Sequence, residues 1–399
     1  MLLEIILTFL AGILAGTFTG LSPGIHINLI SAILLSSVFI LEKLSPTSLI
    51  IFLVAMSITH TFLDFIPSIL LGAPEEDSFL SVLPGHQLLK QGQGYQAIIL
   101  TLYGSLVALL IIAFFIPIFI YLLPPIEEIT KPAIPYILIF ASLFLILREE
   151  EFLISLTVFT LAGLLGILTF NLPVKQPLLP LLTGLFGLSA LIISIKNKTK
   201  IPPQIITPLK KIKLEKSKIL KSIISTSLTA PFASFLPGFG SGQAALISSE
   251  ITEQDSKQFL FTIGIINTAV MALSFITIFS IQKTRTGTAA AVLEILKSPT
   301  TSNLVAVIIT IFASGILAFF LGIQISKLSV KYITKVNYSL LSVIIIFILI
   351  LINIILSNPL GLIVLTTSTS IGIFCILSNS KRINLMGSLL LPTIVFYLT

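Results

Sequence analysis

The stretch FLPGFGSGQAAL, residues 235–246, places one proline and three glycines between two long apolar segments. Proline removes a backbone hydrogen-bond donor, and glycine is the poorest helix former after proline. A helix that enters this stretch must therefore break inside it. What the break means depends on whether the surrounding segments lie in water or in lipid.

The composition of the chain is that of a membrane protein. Of its 399 residues, 55% are hydrophobic and only 10% are charged, and the mean hydropathy is +1.11. Soluble domains carry about 25% charged residues. Apolar runs long enough to cross about 30 Å of hydrocarbon recur from end to end. We therefore predict an all-α polytopic membrane protein embedded in a lipid bilayer.

Several classes of function are excluded by the same counts. Cys375 is the one cysteine, and the three histidines show no metal-ligand spacing, so we expect no metal or other cofactor. The chain has no P-loop, so we expect no ATPase activity. The net charge of +7 comes mostly from one loop, which argues for membrane topology rather than nucleic-acid binding.

Hydropathy divides the chain into two sets of membrane elements separated by a basic linker. The first set is predicted at 3–20, 27–41, 47–68, 96–123, 132–148, 151–170 and 177–196. The second is predicted at 218–235, 240–251, 258–282, 302–324, 338–357, 360–378 and 383–398. Residues 196–218, KNKTKIPPQIITPLKKIKLEKSK, contain eight lysines and no long apolar run. We predict a first membrane repeat at 1–196, a linker at 197–217 and a second membrane repeat at 218–399.

The positive-inside rule places this linker in the cytoplasm of a cell-membrane protein. Tracing outward from it also brings the lysines at 327, 331 and 335, and Lys381 with Arg382, to the cytoplasmic side. Both termini then lie outside, so the two halves enter the membrane from opposite sides. We therefore predict an inverted repeat with roughly 10 to 14 membrane elements.

Two pairs of similar segments, one member in each half, support the repeat. LSPGIHINLISA (21–32) aligns with FLPGFGSGQAAL, and this places Pro23 on Pro237. ITHTFLDF (58–65) aligns with IINTAVMA (265–272), which places His60 on Asn267 and Thr61 on Thr268. Each half thus carries a helical hairpin that is broken at a Pro-Gly pair.

Backbone that leaves helical geometry inside a membrane is tolerated only where it is buried in protein or lines a wet cavity. Proline kinks and close glycine packing are the plain alternatives, but paired breaks in two halves point to a transport site. Free N–H groups at a half-helix N-terminus suit an anion, and free carbonyls suit a cation. The substrate-binding candidates are Ser22, Pro23, Gly24, His26, Asn28, Pro237, Gly238, Gly240, Ser241, Gly242 and Gln243.

These residues also resemble a known family. GTFTGLSPGIHINLISAILL, THTFLDFIPSILLGAPEEDSFLSVLPGHQLLKQG, ASFLPGFGSGQAAL and NTAVMALSFITIFSIQKTRTG, in this order, resemble the large membrane subunit of tripartite tricarboxylate transporters, the TctA-like permeases. The resemblance implies a secondary transporter of organic anions such as di- and tricarboxylates, driven by an ion gradient. It also implies two partners, an extracytoplasmic binding protein and a small membrane subunit.

This chain departs from longer family members between residues 58 and 77. It has His60, Asp64 and the acidic run Glu75–Asp77 where those members carry small residues, so a stand-alone permease is an alternative. Transporters of this architecture are often homodimers, although no interface is legible in the sequence.

Ionisable residues inside a membrane are costly and usually functional. Asp64 follows His60 by four residues, on the same helical face. The alternatives are that Asp64 is an interfacial, solvated residue and that His60 is a buried polar group satisfied by neighbouring helices. The ion-coupling candidates are Thr59, His60, Thr61, Asp64, Asn267 and Thr268. Arg285 is a candidate ligand for a carboxylate, and the polar stretch 72–94 is a candidate gate or substrate-lining loop.

The sequence thus predicts a transporter rather than an enzyme, coupled to Na⁺ or H⁺, in which the two repeats rock against each other. A translocase of a lipid-linked or amphiphilic phosphate on the same fold is the alternative. It would use Lys283 and Arg285 near headgroup depth. An intramembrane enzyme ranks last, because only His60 and Asp64 could serve it.

Overall fold

The computed structural model describes residues 2–22, 27, 30–31, 34, 44–72, 80, 82–147, 149, 151–196, 202–236, 239–333 and 338–398, and these form α-helices joined by short turns. The first half contains α1 (Leu2–Leu21), α2 (Pro46–Leu63), α3 (Phe65–Leu71), α4 (Val82–Lys90), α5 (Gly94–Thr130), α6 (Ile134–Leu147), α7 (Phe152–Asn171), α8 (Leu178–Leu182) and α9 (Ser189–Lys196). The second half contains α10 (Lys216–Phe235), α11 (Ser241–Thr252), α12 (Ser256–Ser280), α13 (Gly287–Leu296), α14 (Thr301–Ile333), α15 (Tyr338–Leu377) and α16 (Gly387–Leu398).

The prediction of an all-α membrane protein is confirmed. Within the described residues, seven helical segments are long and apolar enough to span a membrane, and no strand is present. Large apolar side chains such as Leu14, Phe140 and Phe347 are widely exposed on the outside of the helices, where lipid would cover them. The chain is a multi-pass membrane protein.

The second hairpin lies where the opening stretch predicts it. α10 ends at Phe235 and α11 begins at Ser241, so the helix breaks within FLPGFGSG. Lys218 Nζ lies 2.7 Å from Asp255 Oδ2, and Ser248 Oγ lies 2.6 Å from Ser225 Oγ. These two pairs show that α10 and α11 run antiparallel, with the break at the tip of the hairpin.

α15 consists of two helices that meet at a kink at Asn358 (φ 64°) before Pro359, in agreement with the predicted elements 338–357 and 360–378. The structure differs from the predicted elements in having two further short helices, α4 and α13. α4 tolerates Pro84 because proline in the first turn of a helix costs no hydrogen bond.

Each half begins with the same arrangement of helices. α1 packs alongside α2 in the same direction, with Gly12 against Phe52 and Gly20 against Leu63. The Glu4 carboxylate accepts a hydrogen bond of 2.8 Å from the backbone N–H of Ser45, the N-cap residue of α2.

In the second half, Lys218 in the first turn of α10 contacts Asp255, the N-cap residue of α12. Ser222 one turn later lies 2.9 Å from Thr262 on α12, so α10 and α12 also run in the same direction. This correspondence supports the internal repeat, whose inverted symmetry and bounds stay predictions.

The helices sort into two bundles. α1–α5 and α10–α14 form the first, which we call the hairpin bundle, and α6–α9, α15 and α16 form the second, the flanking bundle. Extensive helix–helix packing among the described residues lies within one bundle or the other. In the hairpin bundle, α5 and α12 approach most closely at Gly104 and Gly264; in the flanking bundle, α7 and α16 do so at Gly166 and Gly387.

Candidate functional site

Five of the six predicted ion-coupling residues lie on α2 and α12, and Asp64 lies at the junction of α2 with α3. These helices are buried along nearly their whole length. The side chains of Thr59, Thr61, Asp64, Asn267 and Thr268 are at most 1% exposed, and His60 is 3% exposed. Polar groups survive at such depth only when other protein groups satisfy them. The contacts of these six residues therefore define the centre of the molecule.

Three hydrogen bonds join α2 and the adjoining Asp64 to α12 where the helices cross. Asn267 Nδ2 donates to Asp64 Oδ2 at 2.9 Å and to the carbonyl of Thr61 at 3.5 Å. Thr61 Oγ1 lies 3.2 Å from Thr268 Oγ1 and itself donates to the carbonyl of Ile58, so the Thr268 hydroxyl is the donor between them. Asp64 is thus a buried carboxylate in contact with the second half of the chain, rather than a solvated residue at the membrane surface.

The pairing of Thr61 with Thr268 bears on symmetry. The second pair of similar segments aligns these two residues, and in the structure they touch, on helices that run in opposite directions. Equivalent residues meet in this way when they lie beside a two-fold axis. The contact supports an inverted repeat with its axis near the centre of the site.

His60 faces α1 instead of α12. Its Nδ1 lies 3.0 Å from Thr19 Oγ1, and the Thr19 hydroxyl donates to the carbonyl of Gly16. The imidazole N–H is therefore the donor in this contact, an assignment that follows from the hydrogen-bond network. Although His60 and Asp64 share one side of α2, they bind different neighbours.

The tip of the second hairpin brings together groups that suit an anion. Ser241, Gly242 and Gln243 form the buried first turn of α11, where backbone N–H groups have no partner inside the helix. Gln243 Oε1 accepts the N–H of Gly240 at 2.9 Å. Arg285, from the loop before α13, lies against the same glycine, since a Cβ there would be only 2.5 Å from its Nη2.

The first hairpin is described only in part. Ser22 is half-buried at the end of α1, whereas Pro23, Gly24, His26 and Asn28, like Pro237 and Gly238 of the second hairpin, lie outside the described residues. Ser31 is buried, and its Oγ lies 3.0 Å from Oγ1 of Thr288. The segment 285–288 therefore reaches both hairpins.

Four buried polar atoms around these contacts have no hydrogen-bond partner among the described residues. They are Ser241 Oγ, Arg285 Nη1, Asn267 Oδ1 and Thr59 Oγ1. The guanidinium and the serine hydroxyl can donate hydrogen bonds to an anion, whereas the amide and threonine oxygens can coordinate a cation. Unsatisfied buried atoms also occur elsewhere among the described residues, so it is the grouping of these four around the hairpin tip and the helix crossing that suits a bound solute.

Sequence reasoning missed three residues of this site: Thr19, Ser31 and Thr288. Each is an ordinary small polar residue in an apolar segment, and its partner lies far away in the chain. The spacing of Gly12, Gly16 and Gly20 could have shown that this face of α1, and Thr19 beside it, packs closely on another helix.

Comparisons with known proteins agree with this architecture. Residues 6–387 match the model of the tripartite tricarboxylate transporter TctA family. An uncharacterized protein of Methanocaldococcus jannaschii is 34% identical over 408 residues, which cover 98% of this chain and 99% of that protein. No solved structure matches the chain. Since the family match covers nearly all of it, the chain belongs to the TctA family, the large membrane subunits of tripartite tricarboxylate transporters.

Proposed function

We propose that this protein is a secondary transporter that moves small organic anions, di- or tricarboxylates, by alternating access coupled to Na⁺ or H⁺. Membership of the TctA family supports transport as the general function. The observation that supports an anionic substrate is the position of Arg285 at the tip of the second hairpin, against Gly240 and beside the first turn of α11.

The chemistry of this tip suits a carboxylate. The N-terminus of α11 supplies backbone N–H groups and the positive end of a helix dipole. Arg285 adds a planar guanidinium that can bind both oxygens of a carboxylate, and Nη1 is buried without a partner among the described residues. The hydroxyl of Ser241 is a third donor in the same first turn.

We propose that the coupling ion binds at the crossing of α2 and α12. Carboxylate, amide and hydroxyl oxygens of Asp64, Asn267, Thr61 and Thr268 lie there. Hard cations prefer oxygen ligands of these types, and a buried carboxylate can also take up a proton. An ion bound there would lie inside the same bundle as the anion.

The cellular setting follows from the topology predicted by charge. We place the protein in the cell membrane with the linker 197–217 in the cytoplasm, where its lysines are expected. Family members work with a binding protein and a small membrane subunit, and we propose the same partners here. Function as a stand-alone permease and assembly as a homodimer are the further possibilities to test.

The test is a thermal-shift screen of the purified protein against organic acids, with and without Na⁺ and across pH. A ligand that binds only the folded state raises apparent stability by mass action. Arg285→Ala should weaken binding of a stabilising acid about tenfold or more, because a hydrogen bond to a charged group contributes about 1.5–3 kcal/mol. Lys283→Ala, which removes an exposed cation two residues away, is the matched control and should bind normally.

Two results would count against organic-anion transport. The first is equal binding of the acid by the Arg285 and Lys283 variants. The second is a flat response to every acid together with stabilisation by lipid phosphates, which would favour a translocase of lipid-linked phosphates on the same fold.

A further inference from the structure

The two bundles do not coincide with the two halves of the sequence. The described residues of the hairpin bundle lie within 2–130 and 216–333, and those of the flanking bundle within 134–196 and 338–398. Each half therefore contributes one part to each bundle. All described site residues, from Thr19 to Thr288, lie in the hairpin bundle.

Inside the hairpin bundle, the two halves are bound tightly to each other. α5 of the first half meets α12 of the second so closely that a Cβ on Gly104 or Gly264 would clash with the opposite backbone. Ser105 Oγ of α5 donates to the carbonyl of Gly264 on α12 at 3.1 Å. Asn267, which donates to Asp64 of the first half, lies on the same helix α12. Rocking of one half against the other would have to break these buried contacts.

Contact between the bundles involves fewer close backbone approaches among the described residues. One apolar core runs through both bundles, and Arg285 and His86 of the hairpin bundle lie within electrostatic reach of Tyr397 and Arg382 of the flanking bundle.

At the end of α3, Leu71 packs against the apolar cluster of the flanking bundle that contains Leu188 and Leu191. Leu191 Cδ2 would lie 3.7 Å from a Cβ on Gly72, which is ordinary van der Waals distance. Apolar side chains in such contact can exchange neighbours without leaving a polar group unsatisfied.

The linker stays with the hairpin bundle. Gln204 Oε1 accepts the N–H of Gly94 at 2.8 Å, and its Nε2 donates to the carbonyl of Leu89 at 2.8 Å. The backbone N–H of Ile205 donates to the carbonyl of Gly92 at 2.9 Å. Residues 202–212 therefore fasten the linker to α4 and α5, although it connects the two halves.

From these contacts we propose that the hairpin bundle moves as one body against the flanking bundle and carries the site with it. This rests on the proposed transport function and names its moving part. The two halves, which the sequence suggested would rock against each other, then remain joined throughout the cycle. Motion occurs at the boundary where close backbone packing among the described residues is least extensive, with Arg285 and Tyr397 changing neighbours there, and the buried hydrogen bonds around Asp64 and Asn267 persist.

Two crosslinks distinguish bundle motion from rocking of the halves. In a Cys375→Ala background, Leu71→Cys with Leu191→Cys joins the two bundles within the first half. Phe119→Cys with Ser280→Cys joins the two halves within the hairpin bundle, where Ser280 Oγ lies 2.5 Å from the Phe119 carbonyl oxygen. A short bis-maleimide closes each pair, mass spectrometry gives its yield, and uptake of a stabilising acid is measured in proteoliposomes.

We expect the 71–191 crosslink to abolish uptake in proportion to its yield while the acid still raises thermal stability. We expect the 119–280 crosslink to leave uptake within about twofold of the same protein without crosslinker. Uptake that survives the 71–191 crosslink, or that is lost with the 119–280 crosslink, would overturn the proposed bundle motion and leave the proposed transport function standing. No uptake and no binding by the uncrosslinked protein would overturn the proposed function, and the inference with it.

Discussion

Among single residues, Asp64 and Asn267 form the polar contact that joins the two halves of the chain at the centre of the site. A buried carboxylate is costly unless donors satisfy it, and here the donor is an amide from the other half of the chain. The pair therefore gives this chain a polar link across the α2–α12 crossing that depends on both residues.

The strength of this link is measured by a double-mutant cycle. Asp64→Ala, Asn267→Ala and the double variant should show a coupling of about 0.6–2 kcal/mol, the range found for hydrogen bonds between helices in a membrane. Unfolding in mixed micelles at increasing SDS gives the free energies. Ser57→Ala is the control, since that buried hydroxyl binds only a carbonyl of its own helix.

A coupling below about 0.3 kcal/mol would show that the two side chains act independently. The cycle addresses the contact itself and needs no substrate. It therefore separates the folding role of the pair from any role in ion coupling, which the transport assay measures.

For single residues, the sequence predicted the members of the candidate site better than it predicted their hydrogen-bond partners. The alignment of Thr61 with Thr268 anticipated residues that touch in the structure. His60 was grouped with Asp64 by helical spacing, yet it binds Thr19 on α1. Spacing within one helix gives a shared face, but it does not say which neighbouring helices meet that face.

At the scale of helices, the Pro-Gly stretches and apolar runs were informative, and the short polar helices were not. α4 and α13 are only 9 and 10 residues long, and each follows a polar stretch. Their formation depends on packing that the sequence does not display, such as Gly85 of α4 against Ile69 of α3. The predicted gate at 72–94 thus contains a helix packed on the hairpin bundle.

Gln204 is the residue that fixes the junction of α4 and α5. Its amide binds a carbonyl at the end of α4 and an N–H at the start of α5, two groups that helix ends leave unsatisfied. Gln204→Ala should destabilise the protein by about 1–3 kcal/mol and speed proteolysis within the linker. Gln91→Ala, an exposed glutamine in the turn between the same helices, is the matched control.

Trypsin can report this change, because the linker is rich in lysine. Equal rates of linker cleavage in the Gln204 and Gln91 variants, with equal unfolding midpoints, would show that Gln204 does not hold the junction. Faster cleavage in the Gln204 variant alone would show that the linker is fastened there.

For the whole molecule, hydropathy predicted membrane helices and a repeat but not the two bundles. Hydropathy reports which segments enter lipid, whereas the choice of neighbours depends on where backbones can approach. That information lies in scattered glycines and small polar residues, such as Gly104, Gly264 and Ser105. Division into bundles therefore became visible only in three dimensions.

This division predicts how a ligand changes the stability of each part. All described site residues lie in the hairpin bundle, so a bound acid stabilises that bundle directly. At about 100 times its Kd, the ligand adds about 2.7 kcal/mol to openings that disrupt the site. Hydrogen exchange measured by mass spectrometry should therefore slow by up to about 100-fold in α2, α11 and α12.

The flanking bundle is the internal control of the same experiment. Residues 134–196 and 338–398 contain none of the described site residues, and among the described residues they have little close helix–helix packing on the hairpin bundle. Their exchange should change by less than about twofold, because an opening confined to them leaves the ligand bound. Equal protection of both bundles would mean that they unfold as one cooperative unit, and an interface that strong would resist the sliding that bundle motion requires.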